Sequence, residues 1–172
     1  MTKLQPSSLL TAAVLGLVFF NPGNALAIAA IRPNVPTHPA STPSFMTQAS
    51  ADEYLEQGIR LFQSGDFQGA EAAFRKAIQL NPNDAEAHNI LGIVLFVQQG
   101  KLEEAITEFR QTIRIDPNDA NAHKNLGAAL YRQDKLEEAI AELKLARVLF
   151  IAQGKTQEVS QIDQWLRAMN AQ

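Results

Sequence analysis

Two stretches of this chain are nearly the same. Residues 80–92 read LNPNDAEAHNILG and residues 115–127 read IDPNDANAHKNLG, an offset of 35. The segments that follow also match: GKLEEAITEF at 100–109 and DKLEEAIAEL at 134–143, an offset of 34. A weaker copy, GDFQGAEAAF, stands at 65–74. A period of this length restricts the architecture sharply. One such unit cannot bury its own apolar face, so neighbours must stack and bury a continuous core between them.

Each copy carries two amphipathic helices by pattern. His88, Leu91 and Leu95 fall on one face at spacings of 3 and 4, as do Ala105, Phe109 and Thr112 in the following helix. Gly65 and Gly100 stand where the first helix of a pair must end, with Asp134 in that place in the third copy. A left-handed residue is needed there. Pro82 and Pro117 stop the second helices, and Asn83-Asp84 and Asn118-Asp119 offer side-chain oxygens to cap the next ones. The three units are 51–84, 85–119 and 120–154. The second has one extra residue before Gly100, which predicts a looser turn. The third has Ile151 where a proline would stand, so its last helix runs on to Gln153 and stops at Gly154.

These residues resemble tetratricopeptide repeats, helix–turn–helix units of about 34 residues. The family's leucine-glycine pair matches Leu91-Gly92 and Leu126-Gly127, with Gln57-Gly58 as a degraded copy. Its small residue in the second helix matches Ala70, Ala105 and Ala139, and its bulky residue four positions on matches Phe74, Phe109 and Leu143. The next small residue matches Ala77, Thr112 and Ala146. The resemblance implies an all-α fold, a right-handed α-α superhelix of three repeats whose first helices line a concave wall.

The two ends differ from the middle. Residues 9–20, LLTAAVLGLVFF, carry no charge and follow Lys3; Asn21-Pro22-Gly23-Asn24 breaks the run, and Ala25-Leu26-Ala27 is a small-x-small pattern. That order predicts a secretory signal over 1–27 and an exported protein, with a membrane anchor over 9–20 as the alternative. A spanning helix needs about 20 apolar residues, and this run is shorter. Pro33, Pro36, Pro39 and Pro43 make 28–50 an expected extended linker. At the other end, Val159, Ile162, Leu166 and Met169 recur at helical spacing, with Trp165 beside them. Residues 155–172 are expected to form a helix that covers the apolar end of the stack.

Catalytic and cofactor patterns are missing from the sequence. There is no cysteine, and the balance of 15 Lys plus Arg against 18 Asp plus Glu is not that of a nucleic-acid binder. Glu103-Glu104 and Glu137-Glu138 are adjacent on a helix, so they diverge by about 100° rather than facing each other. Both pairs stand near a helix start, where negative charge is favourable. His88 and His123 occupy equivalent places with no metal-ligand spacing, and read as contacts between helices. The expectation is no enzyme, no cofactor, no metal and no small-molecule substrate; membrane contact would come only through an uncleaved 9–20 segment.

The expected function is binding a protein or peptide on the inner wall. The first copy offers Asp52, Leu55, Ile59, Phe62 and Gln63. The second offers Glu86, Asn89, Ile93, Phe96 and Val97, and the third Asn121, Lys124, Ala128, Tyr131 and Arg132. Phe62, Phe96 and Tyr131 fall at equivalent points, an expected aromatic ladder for apolar anchors. The alternative is that Phe62, Phe96 and Ile93 complete contacts between adjacent helices. Some members of the family hold an acidic chaperone tail with a lysine- and asparagine-rich clamp; Leu55 and Ile59 stand where such groups would be, so that activity is not implied. A structural subunit of a larger complex, able to self-associate, is the second expected class.

Overall fold

The computed structural model describes residues 43–170. The signal segment 1–27 expected from sequence, and linker residues 28–42, lie outside them. Seven helices follow in order: α1 (Pro43–Gln63), α2 (Phe67–Leu80), α3 (Ala85–Val97), α4 (Leu102–Ile115), α5 (Ala120–Arg132), α6 (Leu136–Ala152) and α7 (Thr156–Asn170). The described residues contain no strand, and none of these helices is long and apolar enough to cross a membrane.

One boundary moves. The linker was expected to reach Ser50, yet α1 already begins at Pro43. Proline is tolerated at the first helical position, because the N–H it lacks would have no partner there. No proline follows until Pro82, so nothing breaks the helix once started.

Helices pair within units as α1–α2, α3–α4 and α5–α6, and units join through α2–α3, α4–α5 and α6–α7. Each unit touches only its neighbours, as a solenoid requires. The pairing is set by the glycines of the first helices. A Cβ on Gly58 would lie 2.7 Å from the Phe74 ring, on Gly92 2.6 Å from the Phe109 ring, and on Gly127 2.8 Å from Leu143 Cγ. Phe74, Phe109 and Leu143 are fully buried over these gaps.

The turns follow the sequence punctuation. Gly65, Gly100 and Gly154 have φ of 85°, 82° and 70°, and Asp134 takes the same conformation at 60°. Three turns close with a bond back six residues minus one: Asp66 N to Leu61 O at 2.9 Å, Lys135 N to Leu130 O at 3.0 Å and Lys155 N to Phe150 O at 2.9 Å. The turn with the extra residue lacks this bond; Lys101 N instead reaches Gln98 O at 3.4 Å. Asp84 caps α3 through Ala87 N, and Asp119 caps α5 through Asn121 N and Ala122 N.

Side chains tie the second helices into one outer wall. Arg75 donates to Glu104 at 2.6 Å between α2 and α4, and Arg110 approaches Glu138 at 3.7 Å between α4 and α6. Glu71 accepts from Lys101 at 2.5 Å, Gln98 at 2.9 Å and Arg75 at 3.1 Å. Burial alone would raise its carboxyl, but these donors hold it below the ordinary value. Gln133, at the place equivalent to Gln98, bonds one unit on to Glu103, since Ile106 stands at the place of Glu71. Three of the four paired glutamates, Glu103, Glu104 and Glu138, are therefore staples between repeats.

At the end of the stack α7 packs on α6. Its buried residues are Ile162, Trp165 and Met169, while Val159 and Leu166 are half-buried. Trp165 is thus a core residue rather than an outlier beside the stripe. Arg147 on α6 donates to Asp163 on α7 at 2.5 Å.

Candidate functional site

The first helices of neighbouring units meet along one wall. Asn125 on α5 donates to Asn89 Oδ1 on α3 at 3.1 Å, and Arg132 on α5 donates to the Phe96 carbonyl of α3 at 2.8 Å. The second helices carry the staples of the opposite wall. The inner wall is therefore built from α1, α3 and α5.

The wall residues expected from sequence divide into three groups. Leu55, Ile59, Phe62, Ile93, Val97 and Tyr131 are half-exposed apolar or aromatic side chains on it. Phe62 also packs on Phe67, ring centroids 5.8 Å apart. Asn89 and Lys124 are half-buried polar groups, and Arg132 is exposed.

Phe96 is the correction. It is only 1% exposed and belongs to the core. The guanidinium of Arg132 lies over its ring, 4.6 Å from the centroid, while also holding its carbonyl. The arrangement is a lid: a cation from the next repeat closes over an aromatic that the repeat period puts near the surface. Ala128, at the place equivalent to Ile93, is buried as well. The aromatic ladder is reduced to its two ends, Phe62 and Tyr131.

Among the described residues no carboxylate lies in ion-pair range of Lys124. Its ammonium is 3.4 Å from Asn121 Oδ1 and 5.7 Å from the centroid of Phe150. Burial lowers its pKa and outweighs the opposing charge of Glu158; Lys155, over the same ring at 5.6 Å, pushes down as well, and Asp119 pulls up least.

The two histidines do not meet each other. His88 Nδ1 is 2.6 Å from Glu108 Oε2 and its Nε2 is 3.0 Å from the Pro82 carbonyl. His123 repeats this with Glu142 at 2.7 Å and the Pro117 carbonyl at 3.1 Å. Each imidazole clips the first helix of its unit to the second helix and to the turn that leads in. Both ring nitrogens face acceptors, so the clip is complete only when both carry protons. Among the described residues no group of three His, Cys, Asp or Glu could hold a metal ion.

For His88 burial lowers the pKa, but the bonds to Glu108 and the Pro82 carbonyl and the nearby carboxylate charges outweigh it, and the net shift is upward. The folded chain then binds more protons than the unfolded chain. That contribution to stability is complete below the ordinary value of about 6.5 and is lost as pH rises through the raised folded value. Chemical denaturation followed from pH 6 to 9 is expected to show falling stability. In His88→Gln that part of the slope should disappear; an unchanged slope would remove His88 as its source.

Sequence reasoning missed Asn125, Glu108 and Glu142. A signal for the glutamates exists: the two copies with His88 and His123 also carry Glu108 and Glu142, whereas the copy with Tyr54 has Ala73 at that place.

The comparisons with known proteins agree with this architecture. The family model described as tetratricopeptide repeat matches residues 55–120 and 95–154. No curated protein sequence matches the chain. Among solved structures it is similar to the TPR2B domain of yeast Sti1 in complex with an Hsp70 peptide, at 22% identity, covering 68% of this chain and 98% of that one, with a TM-score of 0.59. It is also similar to the TPR domain of Arabidopsis OM64, at 19% identity, 71% and 98% coverage and a TM-score of 0.64. A third is the Yersinia enterocolitica type III secretion chaperone SycD in complex with a peptide of the translocator YopD, at 20% identity, 72% and 94% coverage and a TM-score of 0.66. With a family match across all three units and the glycine-over-aromatic packing of each helix pair, the chain belongs to the tetratricopeptide repeat family.

Proposed function

We propose that this chain is an exported adaptor that holds a segment of a protein partner along the inner wall, and performs no catalysis. The observation that carries the reading is the row of half-exposed apolar side chains, Ile59, Phe62, Ile93, Val97 and Tyr131, on the wall made by α1, α3 and α5. Such a row offers anchor points for an extended or amphipathic peptide, with Arg132 at one margin to orient it. Two of the similar structures, those of Sti1 and SycD, are complexes with peptides, which supports a peptide as the bound form. Export rests on the uncharged run 9–20 and the Ala25-Leu26-Ala27 pattern.

A photocrosslinking residue at Ile93 should trap a defined partner segment in the native host, and one at Arg114 on the outer wall should not. Phe62→Ser combined with Tyr131→Ser should keep helicity and lose capture at least about thirty-fold, the equivalent of a 2 kcal/mol anchor. Equal trapping at both positions would move the binding site off the inner wall. N-terminal sequencing of the host protein should start near Ile28 or Ala30; an intact Met1 on cytosolic protein would refute export without touching the binding claim.

A further inference from the structure

The proline turns that join the repeats are each held by a histidine. Pro82 follows α2 and Glu108 belongs to α4, and the His88 ring bridges the two at 3.0 and 2.6 Å. Pro117 follows α4 and Glu142 belongs to α6, and the His123 ring bridges these at 3.1 and 2.7 Å. Each ring therefore spans from one second helix to the next, across the junction whose rotation sets the curve of a solenoid. Among the described residues Glu108 and Glu142 form ion pairs with these rings alone. Asp84, at the cap of α3, is the other carboxylate acting on His88, and Asp119 stands at the same place before His123. Among the described residues no side chain of α2 or α5 bonds to the His88 ring, and none of α3, α4 or α7 to the His123 ring. The first unit has Tyr54 and Ala73 in place of such a pair, and residues 151–158, between α6 and α7, contain neither proline nor histidine. The clip is thus confined to the two junctions between repeats.

We propose that His88 and His123 are a proton switch for the curvature of the array, and that the protonated form is the one that holds the partner. The consequence for binding rests on the inner-wall reading given above. A doubly protonated ring donates to both of its acceptors. A neutral ring has one N–H, and the charged carboxylate is the stronger acceptor. The other nitrogen then turns a lone pair on the proline carbonyl at contact distance, and the two repel. The turn relieves this by moving off the ring. Arg75–Glu104 and Arg110–Glu138 still staple the starts of α4 and α6, so the far ends of the second helices part. Both junctions open in the same sense, and their rotations add along the stack. The outer wall lengthens at that end, and the spacing of α1, α3 and α5 that a bound segment must span changes with it. Burial works against the proton on His88, but Glu108 and the Pro82 carbonyl hold it above the ordinary imidazole value of about 6.5.

The chain has no cysteine, so spin labels can be placed cleanly in pairs on exposed sites. Gln79→Cys with Arg114→Cys reads the first junction, and Arg114→Cys with Val148→Cys the second. From pH 6 to 9 both distances should lengthen, the first with a midpoint above about 6.5. A pair at Val148→Cys and Ser160→Cys, across the junction without a clip, should not move. Glu108→Gln with Glu142→Gln should keep both distances short at every pH, because the new amide donates to the bare nitrogen of a neutral ring while the ring N–H goes to the carbonyl. A synthetic peptide of the segment trapped at Ile93 should bind at least about fivefold more weakly at pH 9 than at pH 6, the low end of coupling between linked sites, and equally at both in the glutamine variant. Distances that stay fixed in the unaltered chain, or that move just as far in the glutamine variant, overturn the switch. Level peptide binding across distances that do move overturns its control of the partner. The distances need no partner, so a failure of the inner-wall reading shows separately, as no trapped segment at any pH.

Discussion

Phe109→Ala should destabilise the fold by about 3–5 kcal/mol, the usual range for emptying a core of a phenylalanine ring. Phe109 is fully buried and its ring occupies the gap over Gly92, where an added Cβ would sit 2.6 Å from it. The two positions are halves of one contact, so they should couple. Gly92→Leu alone overpacks the site and should cost about 1–3 kcal/mol, because a ring with no exposure has nowhere to retreat. Together, Gly92→Leu and Phe109→Ala should cost less than the two separate losses added, since the leucine partly refills the space the ring leaves. Chemical denaturation of the two single variants and the double variant closes the cycle. Strict additivity would mean that the two residues do not share a contact, and the pairing of α3 with α4 would need another explanation.

Phe96→Ala should cost a similar amount, about 3–5 kcal/mol, although its place in the repeat is the same as that of Phe62 and Tyr131. Phe96 is buried and covered by the Arg132 guanidinium. The corresponding change at Phe62 or Tyr131 removes a half-exposed side chain and should cost much less. Arg132→Ala separates packing from the lid: it should lower stability by about 0.5–2 kcal/mol, the range of a cation over an aromatic ring as exposure falls. Equal melting of the Phe96 and Tyr131 variants would mean that Phe96 is a surface anchor after all.

The legible parts of this molecule are those fixed by local steric demands. Gly58, Gly92 and Gly127 could be assigned because a close approach of helices leaves no alternative residue. The left-handed turns at Gly65, Gly100, Asp134 and Gly154 follow in the same way. The inner wall was legible as a set of positions but not as a set of exposed groups. Periodicity places Phe62, Phe96 and Tyr131 at one register, yet only Phe96 is closed, by a residue 36 positions further on. Arg132 closes Phe96 by reaching back across the unit boundary, a contact that no pattern within one repeat contains. The start of α1 at Pro43 was missed for a different reason: prolines read as breakers until one of them is the first residue of a helix. The exposure of Leu145, Val148 and Ile151 on α6 was not legible, because a missing proline explains the length of that helix and says nothing of which face is wet.

The staples of the outer wall have a consequence for how such a chain can grow. The middle unit presents Glu104 to the unit before it and Arg110 to the unit after it. Its inner helix likewise offers Asn89 and the Phe96 carbonyl forward, to receive Asn125 and Arg132. On the outer wall the middle unit thus carries both halves of a junction of fixed polarity, whereas its inner helix has Ile90 and Val97 at the places of Asn125 and Arg132 and carries only the receiving half. Duplication of residues 85–119 in frame would repeat the arginine–glutamate staple, with α7 still closing the far end. Length is then a quantity that inheritance can change in whole units while the outer wall keeps its chemistry.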